Sequence, residues 1–366
     1  MHIEKNILVT GGAGFVGSSI AIYIKKKYPQ YTVTCLDNLK RRGSELNLPR
    51  LAAHGIRFVH GDIRNREDLY PFEAGGASPA SGLTTIIEAS AEPSVLAGIG
   101  NAPDYLVNTN LMGTINCLYL AAKVKADLIF ISTSRVYPIA KIEEIQFSEN
   151  DTRFIVSSHQ KIKGISEKGI TEDFPIEGSR SLYGATKLCS EFLVQEFHTF
   201  YNVRTVINRC GVITGPWQMG KVDQGVIVLW VARHFWKQDL AYFGYGGKGK
   251  QVRDILHADD LCRLIDYQLQ HPEEMNGKLF NVGGGAETSV SLKELTAICQ
   301  KLTGNTVAIR EVKEDRAADI RLYITDNSAI TAATEWTPQI SVTQAVTDIY
   351  HWIKDNEALL KPILTG

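Results

Sequence analysis

A short apolar strand, Asn6-Ile7-Leu8-Val9-Thr10, runs straight into Gly11-Gly12-Ala13-Gly14-Phe15-Val16-Gly17. The glycines stand at the turn between that strand and an amphipathic stretch, Phe15–Lys27, with helical periodicity. A Gly-x-x-Gly-x-x-Gly turn lets a helix pack close to its strand and lets a ligand approach the backbone. The helix N-terminus then offers free N–H groups and the positive end of its dipole to a pyrophosphate. The bland alternative is a glycine turn without a ligand; the strand before it and the helix after it favour the dinucleotide reading.

The chain continues the same alternation. Strands are expected at Asn6–Thr10, Thr32–Leu36, Arg57–Val59, Thr85–Ala89 and Asp127–Ser132, with helices such as Phe15–Lys27 and Tyr105–Lys125 between them. Strands rich in β-branched residues, each followed by a helix, read as βαβ units and hence as a parallel sheet covered on both faces. The fold class is α/β: a Rossmann-type doubly wound parallel sheet followed by a smaller C-terminal substrate-binding domain. Residues 1–210 would form the dinucleotide domain, with an active-site loop at about 140–180. Residues 211–366 would form mainly the substrate domain, some segments returning to pack on the first. Gly-rich punctuation from Gly211 onward marks that change, and Ala74–Gly82 reads as a flexible loop.

Charge and cysteine usage exclude several classes. Lys plus Arg total 39 against 40 Asp plus Glu, a net charge of −1, which argues against a nucleic-acid or membrane-surface binder. Six scattered cysteines without a Cys-x-x-Cys pair read as free thiols, and no metal site is expected. No apolar run approaches the roughly 18 residues of a membrane span. A strand begins within a few residues of the N-terminus, leaving no room for a secretion signal, so a cytoplasmic protein is expected.

Two further positions carry chemistry. Asp37 ends the second strand twenty residues beyond Gly17, where a carboxylate accepts hydrogen bonds from an adenosine ribose and repels a 2′-phosphate. That favours NAD, although Lys40, Arg41 and Arg42 nearby pull toward the NADP pattern. Ser181-Leu182-Tyr183-Gly184-Ala185-Thr186-Lys187 places a Tyr and a Lys on one helical face. A free tyrosine ionises near pH 10; a neighbouring ammonium favours the phenolate and brings it into range for a general base. By itself such a pair is commonly a surface or core pair. Here it follows a dinucleotide fold, and Ile131-Ser132-Thr133-Ser134-Arg135 ends the fifth strand with hydroxyls at its carboxyl end, where ligands of open α/β sheets bind.

With these motifs the chain resembles the extended short-chain dehydrogenase/reductase family over nearly its whole length, in its nucleotide-sugar epimerase branch. The resemblance implies that Thr133, Tyr183 and Lys187 are catalytic. Thr133 would hydrogen-bond the sugar hydroxyl, Tyr183 act as general acid/base, and Lys187 hold the nicotinamide ribose. It implies NAD as cofactor, with Gly11, Gly14, Phe15 and Val16 at the pyrophosphate and Asp37, Asn38 and Arg41 about the adenosine ribose. Asp62 and Ile63 would flank the adenine, and Ala89, Asn110 and Ser132 line the remaining channel. Gln224, Arg253, Arg316, Asp319 and Arg321 are similar to the positions that hold the nucleotide sugar, the arginines on its phosphates, where solvated surface charges are the plain alternative.

Within the family, 4,6-dehydratases carry an Asp-Glu pair after the catalytic threonine and decarboxylases a Glu. Here Ser134 and Arg135 follow Thr133, which points to epimerisation. Glu149–Phe154, Asp223-Gln224-Gly225, Gly249–Asp260 and Glu335–Pro338 resemble the branch that inverts C2 of CDP-linked dideoxyhexoses, so a CDP-hexose is the favoured substrate. A 4-epimerase of UDP- or CDP-hexoses, or a non-catalytic NAD-sensing relative, are the alternatives. Relatives pair through helices like Tyr105–Lys125 and Tyr183–Tyr201, which implies a homo-dimer or tetramer. Three positions depart from the pattern. Ile87-Glu88-Ala89-Ser90 stands where relatives show His, an apolar residue, then Ala-Ala or Ala-Gly, and Glu88 is read as solvent-facing or as a new polar contact; Pro138 replaces a Gly, and Val212 a polar residue that contacts the substrate.

Overall fold

A computed structural model describes residues 4–73, 82–100, 102–220 and 224–365. The loop expected at Ala74–Gly82 (all but Gly82) and Asp223 lie outside the described residues.

The central sheet has seven strands. In chain order they are β1 (Asn6–Thr10), β2 (Thr32–Asp37), β3 (Arg57–His60), β4 (Thr85–Glu88), β5 (Asp127–Thr133), β6 (Thr205–Cys210) and β7 (Lys278–Val282). Their spatial order is β7-β6-β5-β4-β1-β2-β3, and β1/β2, β2/β3, β1/β4 and β4/β5 pair in parallel. The strand order reverses between β1 and β4, the switch point at which doubly wound sheets bind ligands.

Helix α1 (Phe15–Lys27) covers the span expected from its periodicity, and Lys25, Lys26 and Lys27 occupy its last turn, where the dipole favours cations. The stretch expected as one helix over Tyr105–Lys125 is helical from Asp104 to Val124, but a π-helical turn at Asn108–Met112 separates Asp104–Val107 from α2 (Gly113–Val124). Helix α3 spans Leu182–Tyr201. Alternate residues of the strands meet the helices in one apolar core. Leu8, Leu36, Ile86, Leu128 and Phe130 come from the sheet, Cys117, Leu118 and Ala121 from α2, and Val194 and Phe197 from α3. Burial of such side chains contributes about 1.5–3 kcal/mol each.

The chain divides into two compact units. The first holds the residues through Thr133, Leu182–Arg209 and Leu261–Phe280; the second holds Ser134–Ser181, Cys210–Asp260 and the residues from Asn281 onward. The segment at about 140–180, expected as a loop of the first domain, therefore clusters with the second unit and brings it to about the size of the first. Nor is it structureless. It folds into a helix at Ile139–Glu143 and two short antiparallel pairs, Phe147–Glu149 with Phe154–Val156 and Ile165–Ser166 with Gly169–Ile170. Their anchors are distant in sequence: Phe154 N–H donates to Lys250 O, and Ile170 bridges Thr325.

In the second unit the strand Val252–His257 pairs with Val212–Thr214, Ser289–Ser291 and Leu322–Tyr323. Ser291 and Glu294 form a reciprocal capping box that starts the helix Leu292–Thr303, satisfying two otherwise unpaired N–H groups. All six cysteines are free thiols, five of them buried. No helix among the described residues is long and apolar enough to cross a membrane.

Candidate active site

The glycine turn is shaped for a close backbone approach. Gly11 has φ +64°, and a Cβ there would lie 2.7 Å from Ala89 O; a Cβ on Gly17 would strike the carbonyl oxygen of Gly11. Gly14 N-caps α1 with no capping side chain, and the first turn carries no acidic residue. The helix N-terminus is thus left for an anion. Gly11, Gly14, Phe15 and Val16 keep partial exposure, while Gly12, Ala13 and Gly17 are buried.

Asp37 sits at the carboxyl end of β2. Its Oδ2 accepts from Ala13 N–H at 3.1 Å and its Oδ1 from Leu39 N–H at 2.8 Å, which fixes the carboxylate against the turn. Burial pushes its carboxyl up, with Asp62 adding to the effect against the backbone N–H groups. Asn38 Nδ2 donates to Asp62 Oδ2 at 2.8 Å, and Arg64 forks the same carboxylate. Burial pushes the Asp62 carboxyl up, but Arg64 and Asn38 outweigh it and hold it below the usual carboxylate range. Asn38 and Asp62 thus form one polar ledge beside Asp37. Arg41 stands in the turn after β2, its carbonyl accepting from the hydroxyl of Ser44. The side chain of Ile63 packs against Gly113 of α2, so only its backbone and flank are left for a ligand.

Asn110 lies in the π-turn and is fully buried. Its amide donates to Glu92 O and Thr186 Oγ1 and accepts from Glu92 N–H. Its side chain therefore ties the segment after β4 to α3. π-turns of this kind recur at functional sites.

Three catalytic candidates fall in the first unit. Thr133 is the last residue of β5 and nearly buried; Tyr183 is in the first turn of α3 and half-buried; Lys187, one turn on, is 1% exposed. The Lys187 ammonium lies 3.7 Å from Glu88 Oε2 and 3.9 Å from the centre of the Phe130 ring. Glu88 is not solvent-facing. It is fully buried, and its Oε1 accepts from Ser90 N–H at 3.0 Å. Ser132, expected to line the cofactor channel, turns its hydroxyl elsewhere: it donates to Glu191 Oε1 at 2.5 Å. Successive strand residues point to opposite faces, so Ser132 and Thr133 diverge. Glu191 is in turn gripped by the guanidinium of Arg209 on β6. The sequence reading missed Glu191 and Arg209. The available signal was spacing, since Tyr183, Lys187 and Glu191 recur at four-residue intervals on one helical face.

In the second unit Arg253 Nη2 donates to Asp319 Oδ1 at 2.9 Å and to Ile320 O, and its Nη1 to Val252 O. Arg253 and Asp319 are thus brought together. Arg321 pairs with Glu143 Oε2 at 3.2 Å and stacks 4.3 Å from the centre of Phe147, with Phe154 and Tyr245 farther round it. Arg316 lies over Phe243 at 3.7 Å, and its carbonyl accepts from Asp319 N–H. Gln224 is half-buried beside Gly225. Arg153 bridges Glu294 and Ser289, which anchors the Glu149–Phe154 segment. The Glu335–Pro338 segment docks by Trp336 Nε1 on Asp260 O.

Residues 7–283 match the NAD dependent epimerase/dehydratase family. The chain belongs to that family. It is an enzyme that uses NAD, and the uncapped N-terminus of α1 and the carboxylate of Asp37 suit its pyrophosphate and adenosine ribose. Its relatives include CDP-paratose 2-epimerase of Salmonella typhi, 29% identical over 94% of this chain and 98% of the relative. A low-salt glycan biosynthesis protein, Agl12, of Haloferax volcanii is 30% identical over 92% and 94%. Among solved structures, the dTDP-glucose 4,6-dehydratase DesIV of Streptomyces venezuelae superposes with TM-score 0.77 at 27% identity, covering 98% of this chain and 99% of that one.

Proposed function

We propose that this enzyme inverts one carbinol carbon of a nucleotide-activated hexose, taking CDP-paratose to CDP-tyvelose at C2. The observation that carries the epimerase reading is the turn after Thr133. Ser134 and Arg135 stand there, and Arg135 is drawn to Ala318 O. No carboxylate follows the threonine to protonate a departing hydroxyl, so dehydration lacks its acid. The CDP-sugar and the C2 position rest on the Salmonella typhi relative, whose likeness spans nearly the whole of both chains.

Bound NAD supplies the acceptor, and then the donor, of the carbinol hydride. The protein supplies the rest. Tyr183 takes the hydroxyl proton as the carbonyl forms and gives it back after the hexose has presented its other face. Thr133 holds the same oxygen. Lys187 favours the Tyr183 phenolate through its charge. Arg253, with Asp319 fixing its orientation, is assigned to the substrate diphosphate, because a planar guanidinium matches phosphate oxygens. Because no net electrons are exchanged, the cofactor has no reason to leave between turnovers.

Tyr183→Phe keeps the ring and removes the proton-transfer group. Turnover of the CDP-hexose should fall on the order of 10²–10⁴-fold while bound NAD stays constant. Near-normal turnover by this variant would remove Tyr183 from the role of base.

A further inference from the structure

The buried carboxyl of Glu88 plays no part in the chemistry described so far. It closes β4, level with Thr10 on β1 and Phe130 on β5. Side chains level with one another across a parallel sheet point to the same face, so Glu88 and Phe130 both meet α3 where Lys187 comes down on the sheet. Lys187 is 1% exposed and Glu88 is fully enclosed. Burial on this scale disfavours an ammonium, whereas an adjacent carboxylate and an aromatic face both favour it. Among the described residues, other groups stand near the pair. Cys117 approaches from α2 with the hydroxyl of Thr114, and Thr10 from β1; Tyr183 stands one turn earlier than Lys187 on α3. Glu191, one turn later, is engaged by Ser132 and Arg209.

We propose that Glu88 is a positioning residue: its carboxylate is the counter-charge that keeps Lys187 an ammonium at the place where Lys187 serves Tyr183. The carboxylate does not touch the reacting atoms and acts only through the lysine. Burial outweighs every other influence and leaves the Glu88 carboxyl above its ordinary range, with Lys187 the largest influence in the opposite direction. A neutral, isosteric partner at this position would leave Lys187 enclosed with its counter-charge gone. Lys187 would then give up its proton at lower pH, and the alkaline limb of turnover would follow it down.

Only the activity part of this inference rests on the proposed function. The protonation of Lys187 can be read without substrate, from the Cε resonance of 13C-lysine-labelled protein, assigned by its loss in Lys187→Met. Glu88→Gln should move the Lys187 titration down by about one pH unit or more. Glu88→Asp, which keeps the charge but draws it back by a methylene, should fall between Gln and the natural residue. The alkaline limb of kcat should shift in the same order, with NAD content unchanged. A Lys187 resonance that titrates alike with Glu, Asp and Gln at 88 would overturn the proposal, as would a Lys187 already neutral near pH 7 in the natural protein. If Glu88→Gln does not fold, the Asp comparison decides by itself. If the natural protein turns over no nucleotide sugar, the functional reading fails while the titration still decides the pairing.

Discussion

Arg209 holds the one charge that Glu191 cannot do without. The side chains are 6% and 1% exposed, and Glu191 takes Arg209 Nε and Nη2 at 3.0 and 2.7 Å together with the Ser132 hydroxyl. Arg209→Met keeps the stem and deletes the guanidinium, leaving a carboxylate enclosed and half-satisfied. Breaking such a pair from one side costs about 3–5 kcal/mol, a large share of the roughly 5–15 kcal/mol that holds a native domain together. Removing both charges is a different perturbation: Arg209→Met with Glu191→Leu leaves neither charge of this pair buried without its partner, and should lie within about 1–2 kcal/mol of the natural protein once the lost Ser132 bond, about 0.5–1.5 kcal/mol, is counted. Urea unfolding of all four proteins in the double-mutant cycle measures the coupling. Circular dichroism and tryptophan fluorescence must report one transition for the values to be used, because the chain has two units. A cost under about 1 kcal/mol for Arg209→Met, or strict additivity in the cycle, would refute the claim that this pair ties β5 and β6 to α3.

Arg253→Lys retains the charge and loses the fork, so KM for the nucleotide sugar should rise well above its effect on kcat, with NAD content unchanged; an unmoved KM would place the diphosphate elsewhere. Gly17→Ala would set a methyl group against Gly11 O, and the purified protein should carry little NAD; full cofactor content would show that the turn can yield. Burial pushes the Glu294 carboxyl up, but Arg153, Ser291 N–H and Thr152 outweigh it and hold it at about 2. A depressed carboxylate contributes stability above its unfolded value of 4.5 that is lost as pH falls toward 2. Arg153→Gln should therefore flatten the acid side of the stability curve in that window, and an unchanged curve would mean the pair is solvent-screened.

The first βαβ units were legible because their signals are local. β-branched runs mark β1 to β5, and the periodicity of Phe15–Lys27 and Tyr183–Tyr201 is a single-helix property. The π-turn at Asn108–Met112 was not legible, since one extra residue hardly disturbs the apolar spacing on either side. The stretch after Thr133 was read as a loop because its strands are two or three residues long and gain their partners from Lys250 and Thr325, far along the chain. The motif residues Gly11, Asp37, Thr133, Tyr183 and Lys187 could be chosen from sequence, as each has a fixed place relative to a strand end or helix start. Glu88, Glu191 and Arg209 could not be assigned, because whether a charge on a strand or helix is buried depends on what the tertiary fold lays against it.

In the proposed reaction hydride leaves and returns within the enzyme with inversion. Incubating the purified protein with CDP-paratose in deuterated water and assigning the product by NMR tests it most directly. CDP-tyvelose should form without added cofactor and with protium retained at the inverted carbon. Deuterium at that carbon, or a product that has lost water, would contradict it.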